Sequence, residues 1–343
     1  AFGYADTSGF INSGGLGSAA FGFCTDSSSA INSNSNGALS FGVATSGGTI
    51  TNAGPSLAFG QVSNFAQMNQ NGVGSLIHGE VDASGSSITA NGSSLHIFGR
   101  VANQAVMFGQ SSSLIFGYAE GVDTGVVSTI SSNNIGSLIF GVTQTGGSIV
   151  NNSDSCLVFG YSIGSDGGGI ASKISGNGVG SLAFGAVDKG ATIETQASGS
   201  MAFGECLNGR RILATGTGSF AGGYADNASF GIEAQNLGSF AFGYATGGDV
   251  AAIGRGSVAM GEDIVAGADN THAFGKSFTN SNSNTFAVGY AQEMFRVDGN
   301  DNSVRFLGTP SFQITEDISG NAIMGVATLS IGTVTVSTSK VTS

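Results

Sequence analysis

Three histidines, three cysteines and a few neighbouring carboxylates are the side chains of this sequence whose types could do chemistry. His78, His96 and His272 could move protons or ligate a metal. Each falls inside a recurring phrase, at a slot where other copies carry Leu or Phe, so a core ring replaced by an imidazole is the expectation. Cys24, Cys156 and Cys206 make an odd set with no metal-like spacing. Cys24 and Cys206 stand three residues after the Phe slot, where Ala and Val are otherwise common, which reads as small buried thiols. Glu262-Asp263 and Glu316-Asp317 are adjacent pairs and would point to opposite sides of a strand. Asp298-Gly299-Asn300-Asp301 has the flavour of a calcium loop but lacks the later acidic ligand, so it reads as a turn. The acidic nonapeptide of calcium-binding β-rolls is absent, as are a Ser nucleophile elbow and a credible phosphate-cradling loop. The expectation is a non-enzymatic protein with no catalytic, cofactor-binding or metal-binding residues and no cofactor.

The chemistry-poor residues are the ordered ones. Ser56-Leu57-Ala58-Phe59-Gly60 returns as Ser181-Leu182-Ala183-Phe184-Gly185 and, with small edits, along most of the chain. The Phe slot falls at 2, 21, 41, 59, 78, 98, 108, 116, 140, 159, 184, 203, 222, 242, 260, 274 and 288, and Gly follows every time. Phe gives way only to His78, Gly222, Met260 and Val288. A fixed phrase at a spacing near 19 residues marks a repeat architecture, in which coils stack in place of one globular core.

Composition narrows the class further. The 59 glycines and 2 prolines, in 343 residues, do not fall at every third position, which excludes collagen. A hydrophobic content of 40% argues against disorder. A net charge of −12, without basic clusters beyond Arg210-Arg211, argues against a nucleic-acid partner. No apolar run is long enough to span a membrane and no signal peptide opens the chain, so no membrane insertion is expected in this segment. Ala1 already lies within an Ala-Phe-Gly phrase, as in a piece of something longer.

Read as a strand, the phrase places Leu, Phe and the residue after Gly on one side, and Ser, Ala, Gly and Ala on the other. Neither side is polar through its centre, so both are expected to be buried. The position after Gly holds Tyr4, Phe23, Tyr118, Tyr161 and Tyr244 but also Gln61, Glu80, Arg100, Glu205 and Lys276, the mixture of a rim. Phe21, Phe41, Phe59, Phe98, Phe140, Phe159, Phe184, Phe203, Phe242 and Phe274 are expected to stack as a structural ladder. Gly22, Gly42, Gly60, Gly141, Gly185 and Gly243 beside them imply close backbone approach or a bulge. Segments such as Gly47-Gly48-Thr49-Ile50-Thr51-Asn52 and Gly146-Gly147-Ser148-Ile149-Val150-Asn151 carry one Ile between polar neighbours, a short strand with one inward side chain. One repeat is thus strand, turn, strand, turn. A single coil would not shelter both sides of the phrase strand, so the surplus apolar side calls for copies of the chain around an axis; the alternative is a monomeric solenoid whose wide interior takes both Leu and Phe.

Irregular spacings mark joints. Phe98, Phe108 and Phe116 lie close together, as if one coil were split or one strand doubled. Insertions near Gly121–Gly125 and Ser165–Gly169 lengthen two coils, and loops on a rigid scaffold suit binding. From Met260 the phrase recurs every 14 residues, as Ser257-Val258-Ala259-Met260-Gly261, Thr271-His272-Ala273-Phe274-Gly275 and Thr285-Phe286-Ala287-Val288-Gly289. This stretch resembles the head repeats of trimeric autotransporter adhesins, closely over Gly256–Tyr290. Over residues 1–255 the phrase survives while the longer spacing departs from that family's. The resemblance implies a left-handed parallel β-roll assembled as an intimate homotrimer, with an extracellular surface that binds host matrix or cells. Met294–Phe306 reads as a hairpin around Asp-Gly-Asn, and Ala327–Ser337 as a strand pair. Both are similar to C-terminal segments of phage and virus fibre proteins, which are also homotrimers.

The expected fold is therefore all-β, a parallel β-solenoid or β-roll of about 19-residue coils narrowing to 14-residue coils, as an intertwined or side-by-side homotrimer. Its parts are a long-period rod over 1–255, an adhesin-type roll over 256–291, a hairpin connector over 292–312 and a C-terminal β segment over 313–343. The expected function is a structural and adhesive fibre on a cell or virion surface, with itself and a host receptor or glycan as partners. The alternative is an extracellular filament of functional-amyloid type, built by end-to-end stacking through open coil edges. An ice-binding solenoid is the weakest reading, because Thr-x-Thr occurs only in scattered cases such as Thr49-Ile50-Thr51.

Overall fold

The computed structural model describes residues 1–6, 8–123, 125–164, 169–226 and 231–307. Alternation of small or branched apolar residues with polar ones, punctuated by glycine turns, gives strands and no helix among them. They form a parallel β-solenoid of about 13 turns with coils of about 19 residues. Each regular coil holds a phrase strand such as Leu57–Val62, a corner, a short strand such as Gln67–Gln70, and a second corner. Like pairs with like along the rod: Leu39 with Leu57, Phe41 with Phe59 and Gly42 with Gly60 in the phrase sheet, and Ile31 with Ile50 in the short-strand sheet.

The core is the thin space between these two sheets. Ala58 and Val62 point inward from the phrase strand, and Ile31, Ile50, Met68, Ile88, Met107, Ile130 and Ile149 meet them from the other side, all fully buried. Each such side chain contributes roughly 1.5–3 kcal/mol relative to exposure. Gly60 shows why the phrase requires glycine. A Cβ there would lie 1.9 Å from the Gly79 carbonyl oxygen and 2.7 Å from the Met68 methyl, on a backbone at φ +157°. The inward Ile or Met fills the space that the glycine leaves empty.

One corner is closed by complementary pairs. Ser56 Oγ donates to Asn52 Oδ1 at 2.7 Å, Thr195 Oγ1 to Ser181 Oγ at 2.7 Å, and Ser113 and Ser132 share a bond of 2.9 Å. Where Leu95 or Cys156 takes the serine's place, the opposite residue shrinks to Gly109 or Gly176. This corrects the reading of Phe108. Val106–Gly109 is a short strand, paired with Ser87–Ala90 and Thr129–Ser132, so Phe98 pairs directly with Phe116 and the coil is neither split nor doubled. Gly109 follows Phe108 because Leu95 needs the room, which mimics the phrase without being one.

A second expectation is half corrected. Within one chain the phrase strand is buried on one side only: Ala58 is fully buried, whereas Leu57 of the same strand is 37% exposed. The interior is too thin to take both Ile from one sheet and Phe from the other.

The rod continues through Val258–Ala266 and His272–Asn280, which pair with Val258 opposite His272 and span both sheets. Thr285–Tyr290 then pairs antiparallel with Glu293–Asp298, which pairs with Ser303–Phe306. The Gly121–Gly125 insertion carries a small antiparallel pair, Val122–Asp123 with Val126–Val127. Of the Ser165–Gly169 insertion only Gly169 is described, and Glu316, Asp317 and the 313–343 segment lie outside the described residues.

Candidate functional site

Among the described residues, the carboxylates and thiols singled out in the sequence are engaged in local structural contacts. Asp263 sits at a corner and accepts from the Thr246 and Gly247 amides at 2.9 and 3.0 Å, while Glu262 points outward to Lys276 Nζ at 2.8 Å. Asp298 and Asp301 accept amide bonds from Asn300 and Ser303 at 3.0 Å each, within their own turn. Cys24, Cys156 and Cys206 are buried and unpaired with one another. Burial pushes the Cys206 thiol up to about 12 and raises Cys24 as well. No group of three or more His, Cys, Asp or Glu able to hold a metal ion occurs among the described residues, and no described helix is long and apolar enough to cross a membrane.

The surface that stands out is the outer side of the phrase sheet, where three columns run along the rod. The central column holds the ladder phenylalanines. Ring centroids lie 4.8 Å apart for Phe21–Phe41, 5.0 Å for Phe41–Phe59 and 4.9 Å for Phe98–Phe116, with planes within 11°. Phe116–Phe140, Phe159–Phe184 and Phe184–Phe203 stack at 5.1, 4.7 and 5.0 Å. Beyond Phe203, Gly222 interrupts the column: a Cβ there would strike the Phe203 ring at 2.5 Å, so that ring leans over the gap toward Phe242, 6.2 Å away. Phe274 aligns with Met260 on one side and Val288 on the other. Gly22, Gly42 and Gly60 align beside the rings, as do Gly141, Gly185 and Gly243 with their neighbours.

Stacking is worth about 0.5–1.5 kcal/mol per pair beyond area burial. It covers ring faces and leaves ring edges in solvent, with Phe140 40% and Phe242 39% exposed. The flanking column is the Leu slot, from Leu39 and Leu57 to Phe220 and Phe240, whose rings stack at 4.4 Å. The third column is the rim. Tyr4 stacks on Phe23 at 5.1 Å and Tyr224 on Tyr244 at 4.9 Å, and the Arg100 guanidinium lies 5.7 Å from the Tyr118 ring centre. Tyr224 donates to Asp226 at 3.0 Å, a bond that pushes its phenol up to about 12.

His78 occupies the central column between Phe59 and Phe98, His96 the Leu column between Leu76 and Leu114, and His272 the same column between Val258 and Phe286. Sequence reasoning missed the ion pairs of the rim, Glu80 with Arg100 at 3.5 Å and Glu262 with Lys276 at 2.8 Å. Each joins consecutive coils, so the signal was an acid and a base at the same slot of neighbouring repeats. No family model matches the chain, and neither a curated protein nor a solved structure does.

Proposed function

We propose that this chain is a non-enzymatic structural and adhesive fibre of a cell or virion surface, built by side-by-side association of rods into a homotrimer. One observation carries the reading: the outer side of the phrase sheet is apolar along most of its length, and none of the described residues covers it. About 13 turns at roughly 4.8 Å each, across a strand about 13 Å wide between the Leu and rim columns, amount to on the order of 800 Å². That exceeds the roughly 300–600 Å² patch of an ordinary monomer and equals about one partner's share of a specific interface. A ladder repeating at strand spacing is best matched by a surface of the same period, and a second copy of this chain has it.

The 14-residue spacing of the phrase over Gly256–Tyr290 supports three copies and narrower coils, through its likeness to adhesin heads. A host-surface receptor or glycan is the outer partner of such a fibre. Sedimentation equilibrium of the purified chain tests the reading: three chains per particle are expected. Open-ended polymers would favour the stacked filament, and a monomer would end both.

A further inference from the structure

The outer apolar side is interrupted at one place in its first half. On two consecutive phrase strands, Leu76–Val81 and His96–Ala102, the three columns read Leu76, His78, Glu80 and His96, Phe98, Arg100. His78 and His96 are exposed, and Glu80 and Arg100 face each other with about half of each side chain in solvent. Next to them lie Leu57, Phe59 and the polar rim residue Gln61 on one side, and Leu114, Phe116 and Tyr118 on the other. A similar composition returns once, at Val258, Met260, Glu262 and His272, Phe274, Lys276. Between these two polar bands the Leu and Phe columns hold only apolar residues and Gly222, with Glu205 the one charge in the rim.

We propose that the polar band of Leu76–Glu80 and His96–Arg100 locks copies of this chain side by side, parallel and without stagger. The inference rests on the self-association argued above. With no stagger, each band meets its own counterpart, where Glu80 of one copy reaches Arg100 of the next and the imidazoles keep polar neighbours. A slip by one coil sets His78 against a partner's Phe59 or Phe98 and His96 against a partner's Leu76 or Leu114, leaving the imidazoles buried without polar partners. An apolar ladder alone cannot prevent that slip, because consecutive rungs are nearly identical. Slip has a structural consequence: unstaggered copies close into a finite particle, whereas a repeated stagger generates an open helical filament. A polar position that sets register in a mostly apolar seam has the same physical logic in coiled coils.

The test compares the whole wild-type chain with a variant whose band takes the residues of neighbouring coils: His78→Phe, Glu80→Val, His96→Leu and Arg100→Tyr. All four side chains lie outside the core, and circular dichroism checks that the fold is kept. Sedimentation velocity is expected to show one discrete species for wild type, and loss of that species to larger, polydisperse ones for the variant. A second variant, Glu80→Gln with Arg100→Gln, stays polar and is expected to remain discrete. Spin labels at Val43→Cys and, separately, at Val142→Cys, with the three buried cysteines changed to Ala, should give matching short distances between copies. Distances that differ strongly between the two sites would mean antiparallel copies and overturn the lock. A four-residue variant as discrete as wild type would overturn it while leaving self-association standing. A wild-type chain that stays monomeric, with no coupling between labels, would overturn both.

Discussion

The two sheets of the solenoid close one core, yet their outer sides differ. Outside the phrase sheet run Leu39, Leu57, Phe41 and Phe59, half-buried or exposed. Outside the short-strand sheet most positions are polar, with Thr49, Thr51, Asn69, Ser87, Thr89 and Thr192, and with Lys173 4.0 Å from Glu194. Inside, both sheets are equally dry. The contrast separates two roles that one repeat must serve. Ile and Gly hold the coil together, and Phe and Leu offer it to something else.

Three variants test that separation. The largest effect is expected inside, where the two sheets depend on each other. Ile149→Ala removes a fully buried side chain that packs opposite Gly141, where a Cβ would come within 2.3 Å of the Ile149 methyl. It should lower stability by about 2–5 kcal/mol in urea titration; a change under about 1 kcal/mol would mean that the core is looser than described.

An intermediate effect is expected on the phrase side. Phe59→Ser with Phe184→Ser removes ring stacking that neighbours Phe41 and Phe203 supply, about 0.5–1.5 kcal/mol per pair. The particle should dissociate while circular dichroism still shows β structure, because both rings lie outside the core. Unfolding of the separated chain would show that the ladder is needed for the coil as well. The smallest effect belongs to the polar side. Thr49→Ala with Thr51→Ala should stay within about 0.5 kcal/mol and leave assembly unchanged. Dissociation by that pair would put the interface on the wrong sheet.

Much of this was legible in the sequence, for a physical reason. A repeat multiplies each weak local signal: one Ile between polar residues means little, but Ile31, Ile50, Ile88, Ile149 and Ile193 at one recurring slot identify the inward column. The rings and the rim were visible in the same way. What escaped was whatever depended on a neighbour in another strand. Phe108-Gly109 looked like the phrase, and only the Leu95 side chain explains its glycine. Glu80 and Arg100 were seen as variants of a rim slot, and only the register made them a pair.

By itself the sequence determined the repeat, the strands, the alternation of their sides and the surplus of apolar surface. These follow from period and side-chain type, which are local properties of the chain. The tertiary structure decided which side of the phrase faces in. Glycine beside each Phe lets the opposing Ile or Met approach so closely that the interior has no room for a ring. The small side is therefore the core, and the aromatic ladder lies outside.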